Sequence, residues 1–545
     1  MDNACLQRRY LISFESRRLP HIFTDVLVVG AGVAGLRAAI EASRFAQVIV
    51  LTKGKLPDSN SYYAQGGLAA AVGDGDSVES HVADTIATGS GLADEKVVRH
   101  VISRAPQTIE EMRLAGVRFD TEDGRLSLGR EGGHSTARIV HADGDAAGKA
   151  LFETLAALVG AEQKVKVFEE CFAIDLLTDG SGRNACLGAL TYHRRYGLQI
   201  IRARRTILAG GGAGMLWRET SNPPNATADA AAMAFRAGAA LADMEMVQFH
   251  PTTLYIAGST RSLVSEAVRG EGGHLIDRHG RRFMADYHRM GELAPRDVVS
   301  RAIMQQMAKT DFTHVFLDVR HLGQASFQER FPQIAAKCRS FGIDPARDPI
   351  PVHPAAHYMI GGARVDLDCH ASLPGLLACG EAACTGLHGA NRLASNSLTE
   401  ALVFGKRAGE VAGQAIAEQA DGLAAERIDW IAPKSDRTEL DLPDVRNSLR
   451  SVMWRNVGIA RRGERLAETI EIISFWGRYM LDKEFFDPSA WEIQNMLTAA
   501  YVIAECSLRR TETRGVHYRE DFPQTDPVWT RHQVVRRAEY QLIVE

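Results

Sequence analysis

Apolar and polar positions along the chain predict a parallel α/β sheet broken by an insert. Ile22 to Val29 is a short, mostly apolar run with β-branched residues; glycines follow, then Leu36 to Ala46 carries apolar residues at helical spacing. Val48 to Leu51 is a second apolar strand. A strand-helix-strand unit of this kind opens a parallel sheet. Residues 60–100 and 116–148 are rich in Gly, Ser and Asp, and much of them reads as long loops around a ligand. Alternating strands are predicted from Val165 to Leu208 and an Ala-rich helix over Thr227 to Ala242. From about 249 to 354 the pattern turns polar and His/Arg-rich, as an inserted domain would. Leu376 to Cys379 is a buried strand returning to the first domain, Ser397 to Ala412 a helix, Asp421 to Pro443 a linker, and Val445 to Leu508 a helical region. The expected divisions are 1–21 (an N-terminal extension), 22–248 and 355–424 (one α/β domain in two parts), 249–354 (the insert) and 425–545 (a helical domain).

Composition narrows the function without choosing it. The 545 residues can build two or three domains with a large core. A net charge of -4 gives no basis for a nucleic-acid footprint, and no apolar run approaches the roughly 20 residues that span a bilayer. Eight Cys without a Cys-x-x-Cys pair or a zinc spacing read as reduced thiols, so a cytoplasmic protein with no metal site is expected.

Gly30-Ala31-Gly32-Val33-Ala34-Gly35 is a G-x-G-x-x-G pattern between a strand and a helix. Gly30 makes the tight turn, Gly32 lets the backbone approach a pyrophosphate, and Gly35 permits close helix-strand packing. The pyrophosphate would rest on the helix N-terminus, where free N–H groups and the dipole favour an anion. Thr52 and Lys53 stand where an acidic residue would grip an NAD ribose. Ala209-Gly210-Gly211-Gly212 and Cys379-Gly380-Glu381 are two further strand ends with glycine, and together the three favour the longer cofactor, FAD.

Five separated blocks then occur in order: Ser59-Asn60-Ser61-Tyr62-Tyr63-Ala64-Gln65-Gly66-Gly67, Gln248-Phe249-His250-Pro251-Thr252, Arg269-Gly270-Glu271-Gly272, Glu292-Leu293-Ala294-Pro295-Arg296-Asp297, and His388-Gly389-Ala390-Asn391-Arg392-Leu393-Ala394-Ser395-Asn396-Ser397-Leu398. They resemble the succinate dehydrogenase/fumarate reductase flavoprotein superfamily, and within it the L-aspartate oxidase family. The resemblance implies a Rossmann-like FAD-binding domain with an inserted α+β capping domain and a C-terminal helical bundle domain. It implies that Gly30, Gly32, Val33, Ala34, Gly35, Lys53, Asn60, Ser61, Ala64, Gln65, Gly66, Gly67, Asp229, Glu381, Ser397 and Leu398 bind FAD. Respiratory members place a flavin-linking His where Asn60 stands; an amide cannot make that bond, so the FAD is expected to be non-covalent.

The resemblance also implies that His250, Ser265, Glu266, Arg296, His357 and Arg392 converge on a dicarboxylate where the FAD and capping domains meet. Arg392 offers a planar fork for a carboxylate, and the two His can donate to either carboxylate. Arg296 would lie near the reacting carbon; an Arg is rarely deprotonated, so electrostatic positioning ranks above a base role. Glu131, in Glu131-Gly132-Gly133-His134-Ser135, adds an anion. A dicarboxylate site should avoid an anion unless the substrate also carries an ammonium, and Glu131 would repel succinate. The implied reaction is FAD-dependent oxidation of L-aspartate to iminoaspartate, with dioxygen or fumarate as acceptor and quinolinate synthase as a candidate next enzyme in NAD biosynthesis. The alternatives are a soluble fumarate reductase or succinate dehydrogenase flavoprotein and, less favoured, a non-catalytic flavin-binding scaffold.

Overall fold

The computed structural model describes residues 4–179, 184–256, 262–418, 426–438, 440–538 and 541–545. Its central sheet begins with β1 (His21–Val29), followed by helix α1 (Val33–Ser43) and β2 (Val48–Leu51). β3 (Val165–Phe168), β4 (Cys171–Thr178), β5 (Cys186–His193) and β6 (Gly197–Leu208) complete the main path, ordered β4-β5-β6-β1-β2-β3. β6, β1, β2 and β3 run parallel, whereas β4, β5 and β6 form an antiparallel meander. Val26 to Val29 and Val48 to Leu51 are buried on both faces, which explains their unbroken apolar runs.

Gly30 has φ +113, and a Cβ there would lie 2.2 Å from the Ala209 carbonyl oxygen. At Gly35 a Cβ would lie 2.0 Å from the Gly30 carbonyl oxygen. The first glycine thus makes the turn and the last lets α1 close onto it.

The helix predicted over Thr227–Ala242 is shorter: α2 (Asp229–Arg236) stops before Gly238, whose φ is +89, and Leu241–Ala242 is a strand. Positive φ is natural for Gly and breaks the helix. The segment 60–100 is also less loop-like than its composition implies. Val78–Thr88 is a helix capped by the Ser77 hydroxyl, and residues 95–114 form another, capped by Asp94. Their polar residues are caps and exposed helix faces.

The insert begins inside a strand. β7 (Val247–Leu254) pairs antiparallel with β8 (Ile350–Met359) in a four-stranded sheet, backed by helix α3 (Arg296–Thr310). β9 (Leu376–Ala378) then returns to pair parallel with β6, and helix α4 (Asn396–Glu418) packs on α1. Helices α5 (Leu442–Asn456), α6 (Gly463–Met480) and α7 (Pro488–Arg509) form the helical region.

The two ends of the chain depart from expectation. The helical domain finishes in a hairpin, Val534–Ala538 with Gln541–Val544, which joins Leu241–Ala242 in a five-stranded sheet. The N-terminal residues are built into the core: Cys5, Leu11 and Ile12 are buried, and Phe14–Glu15 pairs with Asp429–Trp430. That pairing puts a strand inside the expected linker; Asp421 and the expected 424/425 boundary lie outside the described residues. Among the described residues, no helix is long and apolar enough to cross a membrane.

Candidate functional site

One cavity is lined both by residues at the ends of β1 and β2 and by residues of the insert. At one end it is lined by Gly30, Gly32, Ala34, Lys53 and Asp229; Asn60, Ser61, Ala64 to Gly67, Glu381, Ser397 and Leu398 line its length; Glu131, His250, Ser265, Glu266, Arg296, His357 and Arg392 close the other end. Of the expected residues only Val33 and Gly35 do not line it. Val33 is fully buried and its N–H donates to the Ser61 hydroxyl at 3.1 Å, while Gly35 packs on Gly30.

The cofactor end fits a dinucleotide with a polar chain. Gly32 begins α1 without a side-chain cap, and a Cβ there would meet only the Ser61 hydroxyl, at 3.2 Å. Asn60 Oδ1 and Gln65 Oε1 are buried acceptors without a protein partner. Such atoms carry a desolvation cost unless a ligand satisfies them. Lys53 Nζ is held by Asp229 and Glu492, both at 2.7 Å, and Asn495 donates to the other Asp229 oxygen at 2.7 Å. Glu492 and Asn495 lie on α7, so the helical domain fixes this end from outside. Asn60 Nδ2 donates to Asn222 at 2.8 Å and to Glu381 at 3.1 Å. Burial pushes the Glu381 carboxyl up to about 7, against the opposing Met359 N–H and Asn60 amide.

The other end concentrates charge in a dry place. Glu266 accepts from Arg269 at 2.9 Å and from Arg296 Nε at 2.5 Å. Burial alone would raise the Glu266 carboxyl, but the two guanidiniums outweigh it and hold it below its ordinary value. Arg296 opens α3 and also donates to Gln248 Oε1 at 3.1 Å. With two groups fixing it, Arg296 is a positioned cation.

His250 and His357 come from the paired strands β7 and β8, with rings 5.1 Å apart. His357 Nδ1 shares a 2.8 Å hydrogen bond with Ser221, and His250 Nε2 is buried without a partner. Burial, then the nearby Arg296, keeps both imidazoles well below their ordinary pKa, hence neutral at pH 7. Arg392 donates to Ser397 at 3.0 Å, and its Nε has no partner.

Glu131 enters on the Glu-Gly-Gly-His loop. A Cβ at Gly132 would lie 2.4 Å from Glu266 Oε1, so glycine permits this close approach. Glu131 Oε2 accepts from Ser395 at 2.7 Å. Burial, then the Glu266 charge, raises the Glu131 carboxyl; Arg296, Ser395 and Arg392 pull the other way. The end thus presents two His, two Arg and one carboxylate inclined to take a cation or a proton.

Sequence reasoning passes over Gln248, Arg269, Tyr358 and Ser395 as site residues, although Gln248, Arg269 and Ser395 stand in quoted blocks and Tyr358 directly follows His357. Ser221, Glu492 and Asn495 carried no local signal.

A family model described as an FAD binding domain matches residues 25–398, and one described as a fumarate reductase flavoprotein C-terminal region matches 446–544. The chain is 42% identical to an L-aspartate oxidase of Streptomyces coelicolor, over 94% of this chain and 92% of that one. It is 41% identical to a chloroplastic L-aspartate oxidase of Oryza sativa subsp. japonica, over 92% of this chain and 82% of the other. Among solved structures, an E. coli quinol fumarate reductase chain superposes with a TM-score of 0.88 at 31% identity, covering 97% of both chains. A Mycobacterium smegmatis Sdh1 chain does so at 0.84 and 32%, covering 97% of this chain and 94% of the other. The chain is a flavoprotein of the succinate dehydrogenase/fumarate reductase superfamily and belongs within it to the L-aspartate oxidase family.

Proposed function

We propose that the chain oxidises L-aspartate to iminoaspartate, with dioxygen yielding hydrogen peroxide or fumarate yielding succinate. The observation that carries this reading is Glu131 buried in the same cavity end as Arg296, Arg392, His250 and His357. A site with two guanidiniums, two imidazole donors and one opposing carboxylate suits an acidic amino acid. When bound, FAD supplies the two-electron acceptor.

The chain's own residues do the rest. Arg392 grips one carboxylate through its open edge, and His250 and His357, neutral, donate to the other. Arg296, fixed by Glu266 and Gln248, holds positive charge beside the reacting carbon. Glu131 pairs with the ammonium, and its raised carboxyl suits it to take the proton that must leave before the amine can be oxidised. Gly30, Gly32, Lys53, Asp229, Gln65 and Glu381 hold the cofactor. Asn60, with its amide committed to Asn222 and Glu381, holds it without a covalent link. Acid precipitation should release yellow flavin into the supernatant; flavin kept in the pellet would refute that part.

The product would pass to quinolinate synthase in NAD biosynthesis. All eight Cys are buried thiols, which supports a reducing compartment such as the cytoplasm.

The test is peroxide formation when aspartate is added to purified, FAD-loaded protein under air. A second reading, a soluble fumarate reductase or succinate dehydrogenase, is favoured by the 31–32% identity to respiratory chains. It predicts turnover of succinate but not aspartate.

A further inference from the structure

Arg392 differs from several of the buried arginines. Arg138, Arg236, Arg269 and Arg510 each pair with at least one carboxylate at 2.9 Å or less. Among the described residues, Arg392 has only the Ser397 hydroxyl, at 3.0 Å, and an unpartnered Nε. Yet it is 4% exposed. The group that covers it is the Tyr358 ring, whose centroid lies 4.7 Å from the guanidinium carbon. An aromatic face attracts a cation through its quadrupole, most strongly where water is excluded. It does so without occupying the in-plane N–H donors, which stay available to a carboxylate.

The ring is itself pinned. The Tyr358 hydroxyl donates to Glu400 Oε2 at 2.9 Å. Glu400 Oε1 accepts from Thr385 at 2.6 Å, and Oε2 also meets His388 Nε2 at 2.9 Å. The His388 ring stands edge-on to Tyr358, with centroids 5.3 Å apart and planes at 90°. All four residues are buried. Tyr358 adjoins His357 at the end of β8, and both line the cavity.

We propose that Tyr358 is a substrate-positioning residue: its ring, locked by the Glu400–His388–Thr385 cluster, holds Arg392 with its donor edge turned to the substrate carboxylate. Because the cation faces a π surface and, among the described residues, no protein carboxylate is hydrogen-bonded to it, the donor edge is left to the ligand. Tyr358 acts through Arg392 and takes no part in proton or electron movement. The role rests on the site reading above, specifically on Arg392 as the carboxylate grip.

The experiment is titration of FAD-loaded protein with succinate, followed by the flavin absorbance change, alongside aspartate kinetics. Tyr358→Leu should raise the succinate Kd and the aspartate KM about tenfold, with kcat within about twofold. Tyr358→Phe keeps the face and should leave the Kd within about threefold. In an Arg392→Leu background, Tyr358→Leu should change the succinate Kd by less than about twofold, since the partner it positions is gone. A similar factor in both backgrounds would overturn the proposal, as would an unchanged Kd in Tyr358→Leu. If Tyr358→Leu does not fold, Tyr358→Phe decides in the two Arg392 backgrounds: a loss of succinate affinity that persists in the Arg392→Leu background refutes action through Arg392. Wild-type protein that binds succinate but leaves aspartate unoxidised would refute the aspartate reading while leaving this test readable.

Discussion

Arg510 and Arg392 are both buried arginines, and their surroundings have opposite character. Arg510 donates to Glu245 at 2.6 Å, to Glu512 at 3.0 Å, and to the carbonyls of Trp529 and Arg531 at 2.9 and 3.0 Å. Arg514 and the Asp526 N–H complete Glu512, and Gln533 completes Glu245. This cluster ties the C-terminal segment to the end of the first domain and pairs both of its carboxylates, with Gln533 Oε1 left without a partner. Around Arg392 and His250, polar atoms are left without partners. Evolved interiors pair buried polar groups, so unpaired ones concentrated in a cavity mark where a ligand completes the structure. The two clusters should therefore fail differently.

The largest effect is expected at the cluster of paired carboxylates. Arg510→Met leaves Glu245 and Glu512 buried and short of a partner, which costs about 3–5 kcal/mol of stability. Arg392→Leu replaces an unpaired buried cation by an apolar group, a change that is near neutral when no partner is stranded. Urea unfolding of the two apoproteins measures the difference. Equal losses would break the comparison.

Glu381 gives the next effect, as a pH slope. Its carboxyl is raised from 4.5 to about 7 in the folded state, so the native protein holds a proton that the unfolded chain releases. Stability contributed by the protonated group is full below about 4.5 and is lost as pH rises towards 7, reaching about 3 kcal/mol. Glu381→Gln cannot titrate. The gap in unfolding midpoint between Glu381→Gln and wild-type apoprotein should therefore widen from pH 5 to pH 7.5 in favour of the variant. A constant gap would show that the carboxyl is ionised throughout.

A smaller effect falls on turnover. Arg392→Leu removes a charge-assisted contact worth about 1.5–3 kcal/mol. Aspartate kcat/KM should fall at least about tenfold while FAD content stays at the wild-type level. Unchanged kinetics would show that the open edge of Arg392 faces nothing that matters.

Much of the frame was legible because it is written locally. β1, the glycine turn and β2 follow from contiguous apolar runs and from glycines needed for close backbone contacts. The cavity residues were legible as blocks, since each block travels on one element: His250 on β7, His357 on β8, Arg296 at the start of α3. What stayed hidden depends on tertiary contact. Glu492 and Asn495 look like ordinary helical polar residues until α7 lies beside Lys53 and Asp229. The four buried residues Ala4 to Leu6 and Leu11 give too short a signal to distinguish a packed segment from an extension. The Ala residues around Gly238 favour a helix, but its positive φ ends one there.

Glu131 tests the comparison most finely, because among the described residues no arginine is hydrogen-bonded to its carboxyl, whereas Glu266 is held by Arg269 and Arg296. Its Oε2 is held by Ser395 at 2.7 Å, and burial together with Glu266 raises its carboxyl. A substrate ammonium nearby favours the ionised form, so aspartate binding and ionisation reinforce each other. Succinate brings no cation, and ionised Glu131 repels it. Glu131→Gln keeps the shape and removes the charge. Aspartate should then bind more weakly, and succinate as well as before or better, moving the affinity ratio about tenfold. At an effective dielectric of about 20, a unit charge some 4 Å away is worth about 4 kcal/mol before desolvation, so a tenfold shift is a modest demand. The sign with pH follows: raising the pH ionises Glu131 and should increase the wild-type preference for aspartate over succinate, a trend flattened in Glu131→Gln. A folding defect weakens both ligands together and leaves the ratio alone. If the ratio stays constant across variants and pH, Glu131 does not read the ammonium, and the case for an amino-dicarboxylate would have to rest on the relatives.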